Sequence, residues 1–241
     1  MQQFKDSMKG AQLVAKKELA GFFSTPIGYI VISVFLVIAG FLFFSTFFLY
    51  GQAELRAYFE LLPLLFAFVI PAITMRLFAE ERNTGSFEML MTLPLSTVQI
   101  VTGKILAATI FAGIMVLPTL FYAVSVAFVG SPDIGPIIGG FIGAIILAAA
   151  YASIGVFASS LTRNQIVAFI IGFAICIVLS LITKFLYFVS PKLVSLFEYI
   201  SADYHFQNIA RGIIDTRNII YFASVIIISS MASIYQLEVR R

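Results

Sequence analysis

The chain has 241 residues, of which 61% are hydrophobic and only 11% are charged. Because soluble domains carry about 25% charged residues, this composition excludes an ordinary soluble protein and predicts a chain embedded largely in a lipid bilayer. The net charge of +3 comes without a basic stripe that alternates with aromatics, which argues against nucleic-acid binding. The single cysteine, Cys176, excludes an internal disulfide framework and a cysteine-based zinc site.

The first element is a leader that covers residues 1–24. Within residues 8–23, apolar positions alternate with Lys16, Lys17 and Glu18 at helical spacing, which predicts an amphipathic helix on the cytoplasmic membrane surface. Two interpretations of these charges remain open. They hold the orientation of the chain, or they also contact a partner or the membrane surface.

Six apolar runs follow the leader, and about 20 apolar residues suffice to cross the hydrocarbon core as a helix. Spans are predicted at about residues 26–50, 58–78, 97–130, 136–162, 164–189 and 217–238, all within one transmembrane domain over residues 25–241. Pro26 suits the first position of a helix, and Ser96 with Gln99 has the spacing of a capping box. Asp215 can cap the last span. The predicted fold class is therefore an all-α integral membrane protein.

The positive charges predict the orientation of these spans, since Lys and Arg concentrate on the cytoplasmic side. With both termini in the cytoplasm, ten of the fifteen Lys and Arg residues lie inside. The five that lie outside are Arg56, Lys184, Lys192, Arg211 and Arg217.

A polar segment, residues 79–96, separates the second and third spans. Gly85 is expected to end one helix and Pro94 the next, which leaves about two helical turns between them. So short a helix is marginal alone in water, so it is expected to dock on the headgroup layer or on a soluble partner. The predicted apolar face of this helix consists of Phe87, Leu90 and Met91. The charged collar before it consists of Glu80, Glu81 and Arg82. Glu88 lies in its first turn, where a negative charge is favoured.

A second polar segment, residues 184–217, lies outside and contains the only histidine, His205. Glu198, Asp203 and His205 are too loosely spaced to indicate a metal site. The favoured interpretation is an interfacial pair of helices, the first over Pro191–Ile200 and the second with a stripe of Phe206, Ile209, Ile213 and Ile214.

The fourth span is rich in small residues, and Gly139 and Gly143 form a G-x-x-x-G. This motif predicts close helix packing, within the chain or between chains. The span centres lack Asp, Glu and His, which argues against an ion-coupled carrier. The sequence also lacks a Walker A motif, so no nucleotide site is predicted on this chain.

Residues 78–104, FAEERNTGSFEMLMTLPLSTVQIVTGK, resemble the segment after the second span of ABC-2 type transporter permeases. The pattern of that family is roughly A-E-E-R-x-x-G-[ST]-x-E-x-L-x-[TS]-x-P-[LIV]-S, followed by Gly-Lys in the third span. The six-span layout, the amphipathic leader and the external helices are similar too. Residues 204–221 resemble the subgroup of gliding-motility permeases, which is related to nitrous-oxide-reductase maturation permeases.

The resemblance implies a permease subunit without enzymatic activity, in the inner membrane of a bacterium, serving gliding motility or export. A separate ATPase subunit would carry ATP and Mg²⁺, and this chain would bind no cofactor and no metal. The residues of the implied coupling helix, which would seat in a groove of the ATPase, are Glu80, Glu81, Arg82, Gly85, Ser86, Phe87, Glu88, Leu90, Met91 and Pro94.

The resemblance also implies further partners: a second permease copy or a related permease, giving a homodimer or a heterodimer, and an extracytoplasmic accessory subunit on residues 184–217. The first alternative is a membrane scaffold that transmits mechanical work from the ATPase and moves no solute. The second alternative is a membrane-embedded enzyme.

Overall fold

The computed structural model describes residues 2–50, 54–92, 94–130, 133–188, 191–213 and 215–239. These residues form twelve α-helices and two short 3₁₀ segments, Leu117–Thr119 and Ile182–Phe188. The helices are α1 (Gln2–Ser24), α2 (Pro26–Tyr50), α3 (Arg56–Thr74), α4 (Arg76–Thr84), α5 (Ser86–Thr92), α6 (Thr97–Val116), α7 (Leu120–Val129), α8 (Ile134–Leu161), α9 (Gln165–Leu181), α10 (Pro191–Ile200), α11 (Ala202–Ala210) and α12 (Thr216–Val239).

Six helical segments are long and apolar enough to cross a membrane, as the sequence predicts. They are Pro26–Ser45, Arg56–Thr84, Thr97–Phe128, Ile134–Leu161, Gln165–Phe185 and Thr216–Val239. The all-α integral membrane fold is thereby confirmed. We call the end of the bundle that carries α4 and α5 the α5 end, and the end that carries α10 and α11 the α11 end.

The small residues of α8 explain why this helix lies at the centre of the bundle. A methyl group added at Gly139 would overlap the backbone carbonyl of Ile209 in α11, and one at Gly140 would overlap the ring of Phe59 in α3. A methyl group at Gly155 would overlap the side chain of Thr74. The G-x-x-x-G stretch therefore packs within the chain, where small residues let backbones approach closely.

The leader forms a helix, α1, which packs along α6. Val14, Ala15 and Phe22 are buried, and a methyl group at Gly103 would lie 2.6 Å from Cβ of Val14. Leu13, on the other side of α1, is exposed. One face of α1 is thus part of the bundle rather than only a surface anchor.

The second span runs further than the sequence predicts, because α4 follows α3 after a break at Met75 and the two form one apolar segment, Arg56–Thr84. The break is filled by Ser159 of α8, whose hydroxyl accepts hydrogen bonds from the backbone N–H groups of Phe78 and Ala79 at 3.0 Å and donates to the carbonyl of Met75 at 2.7 Å. A side chain that replaces ladder hydrogen bonds in this way is a recognised cause of helix kinks.

At the α11 end, α10 covers Pro191–Ile200, as predicted. The second predicted external helix is shorter than its apolar stripe suggested. Phe206 and Ile209 are buried, but α11 ends at Ala210, and Gly212 follows with a left-handed φ of 82°. Ile213 is exposed beyond this turn, so it does not belong to the stripe, and Ile214 lies outside the described residues.

Candidate functional site

The candidate site is the pair of helices α4 and α5, which meet at one glycine. Gly85 adopts a φ of 75°, a conformation that suits glycine, and ends α4 as the sequence predicts. Thr84 donates to the carbonyl of Glu80 at 3.0 Å, and the hydroxyls of Thr84 and Ser86 lie 2.9 Å apart. These local hydrogen bonds lie at the junction between α4 and α5.

One face of α5 packs against the chain itself. Leu90 is only 6% exposed, and the half-buried ring of Phe87 lies 6.4 Å from that of Phe78 in α4. The guanidinium of Arg82 lies over the Phe87 ring at 5.0 Å, a cation–π contact. Phe87 and Leu90, which the sequence pattern offers to a partner, therefore already have partners inside the bundle. The side chain of Met91 lies outside the described residues.

The opposite face of α5 points away from the bundle. Met89 is 74% exposed, and Ser86 and Glu88 are exposed as well, as is Pro94 beyond the end of α5. Met89 was not among the residues singled out from the sequence. Met89 is therefore an apolar group that α5 presents outward, and long, flexible methionine side chains adapt to varied surfaces.

Lys104 is the centre of the polar structure behind α5. Its side chain is fully buried, and its Nζ atom lies 2.9 Å from Oε1 of Glu18 and 2.8 Å from Oε1 of Glu81. It also donates to the carbonyl of Leu77 at 2.7 Å and lies 4.9 Å above the ring of Phe78. We call Lys104, Glu18 and Glu81 the Lys104 cluster.

The Lys104 cluster joins three helices that are distant in sequence: α1, α4 and α6. Lys17, largely exposed, adds a second positive charge 3.7 Å from both carboxylates, so two cations face two anions. Lysine is almost never fully buried unless paired. A lone lysine near the start of an apolar span is a signal in the sequence that could have identified this cluster.

Arg82 connects the same region to α8. Its Nη1 atom donates to the carbonyl of Ser160 at 2.6 Å. Of the predicted charged collar, Glu80 is exposed, whereas Glu81 and Arg82 are half-buried and bonded within the chain. In the leader, Lys16 and Lys17 are exposed, and Glu18 points into the Lys104 cluster.

No group of three His, Cys, Asp or Glu side chains that could hold a metal ion occurs among the residues that the structure describes. His205 instead packs among aromatic rings. Its Nδ1 lies 2.7 Å from Oδ1 of Asn218, and its ring stacks on Tyr221 with centroids 4.2 Å apart.

These features define a multi-span helical membrane protein with a short, partly exposed helix held at one end. Comparison with known families agrees with this class and refines it. The family described as ABC-2 family transporter protein matches residues 12–234, nearly the whole chain. The chain therefore belongs to the ABC-2 transporter family, as a permease subunit. No curated protein matches it in sequence.

Proposed function

We propose that the chain is the membrane-spanning subunit of an ATP-driven transporter and that α5 is the helix through which a separate ATPase subunit moves it. The supporting observation is that α5 has one face fixed on the bundle and one face, with Ser86, Glu88 and Met89, turned outward. The family supports an ATPase partner, and ATP and Mg²⁺ would then be bound by that partner.

The internal contacts support transmission of force from α5 to the spans. Because Phe87 and Leu90 are packed inside, displacement of α5 would displace α4 with it. The Lys104 cluster would pass that displacement to α1 and α6, and the Arg82 contact with Ser160 would pass it to α8. In the proposed interface, Phe87 and Leu90 serve as the anchor of the helix, and Met89 enters the groove of the ATPase.

Substitution of the exposed face of α5 tests the interface. Met89→Asp and Glu88→Lys are expected to abolish co-purification of the ATPase while the thermal unfolding of the permease stays unchanged. Ile213→Asp, at a comparably exposed apolar residue of the α11 end, is the matched control and should leave co-purification intact. If both α5 variants retain the ATPase as the wild type does, the proposed interface is wrong. Phe87→Asp is a poorer probe, since it also disturbs the packing of α5.

The proposed interface requires that the α5 end, with both termini, face the cytoplasm of a bacterium with this chain in its inner membrane. In a Cys176→Ser background, a cysteine at Ser86 should resist an impermeant thiol reagent in intact cells and react after lysis. A cysteine at Asp215 should react in intact cells. The reverse pattern would contradict the orientation.

We propose that two permease copies, or this chain and a related one, form the membrane part of the transporter. The face of α9 supports this, because Phe169 and Phe173 stack at 5.7 Å beside Phe68, which is 56% exposed. Disulfide crosslinking through Ile170→Cys, with Ile228→Cys on α12 as the comparison, tests the pairing. Crosslinking that is no stronger at residue 170 would count against pairing through α9.

The assignment to the gliding-motility subgroup is likewise a proposal. It rests on residues 204–221, and it is tested by asking whether the chain restores surface spreading to a gliding bacterium that lacks its own permease.

The scaffold alternative has one observation in its favour: buried hydroxyls of the spans are paired within the chain. Tyr58 bonds to Thr119 at 2.9 Å, and Tyr151 bonds to Ser180 at 2.6 Å. Groups already paired in this way offer little to a polar solute, which favours a lipophilic cargo or none. A test for ATP-driven uptake of labelled solutes or lipids, in vesicles that contain the assembled complex, distinguishes a transporter from a scaffold.

A further inference from the structure

A cavity of about 350 Å³ opens at the α11 end, between α3, α9 and α11. Cavities of roughly 300–1,000 Å³ are of the size that holds small ligands. The residues that line it are Ala57, Glu60, Leu61, Pro63, Leu64, Ser180, Leu181, Lys184 and Asp203. None of them belongs to the region that we propose docks on the ATPase.

The mouth of the cavity combines charges of both signs. Lys184 Nζ lies 3.9 Å from Oδ2 of Asp203, a long ion pair, and the carboxylate of Asp203 is almost fully buried. Glu60, half-exposed, forms an ion pair with Arg56 at 3.0 Å. Two carboxylates thus face the cavity from α3 and α11, with Lys184 at a distance from Asp203 and Arg56 beside Glu60.

Asp203 lacks full compensation for its charge. Burial raises the pKa of its carboxyl, and the negative charge of Glu60 adds to this rise, whereas Lys184 and the hydrogen bond from Gln207 oppose it. A carboxylate in such a position gains stability from a further cation.

The wall of the cavity toward the centre of the span is apolar. Leu61, Leu64 and Leu181 line it, and Leu64 is 43% exposed at the surface of the bundle. The cavity therefore lies where α3 passes from its charged first turn into its apolar stretch. A ligand with a charged head and an apolar tail matches this arrangement.

We propose that this cavity binds the headgroup of a phospholipid with a primary amine, such as phosphatidylethanolamine, from the leaflet at the α11 end. The ammonium group lies between Asp203 and Glu60, the phosphate lies against Lys184, and the start of an acyl chain follows Leu61 and Leu64. A primary ammonium offers three N–H donors to these carboxylates. Choline has no N–H group, and phosphatidylglycerol has no cation.

The test uses the full-length protein, purified in mild detergent and incubated with equal amounts of phosphatidylethanolamine, phosphatidylglycerol and phosphatidylcholine. Lipid retention is measured by native mass spectrometry. The wild type should retain phosphatidylethanolamine about tenfold over the other two lipids, as expected for charge-assisted hydrogen bonds from its ammonium group to one buried and one half-exposed carboxylate. Equal retention of the three lipids would overturn the proposal.

Substitutions in the cavity test whether the preference for phosphatidylethanolamine arises there. Asp203→Asn combined with Glu60→Gln should abolish the preference, and Lys184→Gln should reduce retention of all three lipids. Asp133→Asn, an exposed carboxylate of the same end, is the matched control and should change nothing. Glu60→Gln alone, at a side chain 46% exposed, keeps the test valid if the double variant fails to fold. A preference that survives Glu60→Gln unchanged would contradict the proposed position of the ammonium.

Discussion

The two ends of the bundle both bury polar side chains, but they hold them together in different ways. At the α5 end, full charges pair across distant parts of the chain: Lys104 is 86 residues from Glu18 and 23 from Glu81. At the α11 end, His205 is hydrogen-bonded to residues close in sequence, with Asn218 13 residues away and Tyr199 six. The rings of Tyr199, Tyr204 and Tyr221 surround it.

This difference suggests different mechanical roles. Ion pairs connect α4 to α1 and α6, which already pack against each other, and this suits the end that we propose receives force. Hydrogen bonds and stacked rings within residues 199–222 join α11 to α12 locally, while the apolar face of α11 packs on α8 and α3. The comparison predicts that disruption of the α5 end affects the whole bundle, whereas disruption of the α11 end remains more local.

The largest expected effect comes from Lys104→Met. It leaves the mostly buried carboxylates of Glu18 and Glu81 without their main cation, and breaking a buried ion pair costs about 3–5 kcal/mol. We expect a loss of this size in the free energy of unfolding, measured by denaturant titration in detergent micelles. Co-purification of the ATPase should fall as well, because α4 and α5 lose their connection to α1 and α6.

Two variants check the origin of that loss. Adding Glu18→Gln and Glu81→Gln to Lys104→Met should recover most of the stability, because the unpaired charges are removed. Lys17→Met, at a side chain 65% exposed and 3.7 Å from the same carboxylates, should cost less than about 1 kcal/mol. A Lys104→Met variant no less stable than Lys17→Met would show that the cluster does not hold the three helices.

A smaller effect is expected from His205→Phe, which keeps an aromatic ring against Tyr221 but removes both hydrogen bonds of the imidazole. The buried side chain of Asn218 then lacks its partner, which costs about 1–3 kcal/mol. Hydrogen–deuterium exchange should increase in α10, α11 and the start of α12, while α4 and α6 stay as protected as in the wild type.

A double-mutant cycle sharpens this prediction. His205→Phe together with Asn218→Ala should cost less than the sum of the single variants, since each one removes the same hydrogen bond. Additive costs, or increased exchange throughout the bundle, would contradict the view that the α11 end is a local cap.

The sequence predicted those features that depend on local chemistry. Gly85 ends α4 because the left-handed conformation suits glycine, and Ser96 and Gln99 form the predicted capping box, with Ser96 Oγ accepting from Gln99 N at 3.3 Å. Asp215 Oδ1 accepts from the backbone N–H of Arg217 at 2.9 Å, as expected for a cap of the last span. Each depends on residues at most three apart.

The features that the sequence did not predict depend on distant contacts. The apolar pattern of α5 does not reveal that Phe87 and Leu90 face inward and Met89 outward, because that depends on where α4 and α6 lie. The pairing of Lys104 with Glu18 and Glu81 depends on the close approach of α1 over Gly103. Helix α4 continues beyond the expected end of the second span because Ser159, on α8, fills the break at Met75.

The smallest expected effect is a pH dependence that arises at Asp203. Its folded-state pKa is raised, mainly by burial, so the folded protein binds a proton that the unfolded chain has already released. The stability that Asp203 contributes is fully present below its unfolded pKa and is lost as the pH rises through its folded pKa. The reason is that the free energy of unfolding falls with pH wherever the folded state holds more protons than the unfolded state.

Asp203→Asn stays neutral and keeps its size, so it should flatten the dependence of stability on pH in this range, measured by thermal unfolding from acidic to neutral pH. Asp133→Asn, an exposed carboxylate of the same end, should leave the profile unchanged. A profile that rises with pH over this range in the wild type, and not in Asp203→Asn, would mean that Lys184 outweighs burial and that the cavity has no deficit of positive charge.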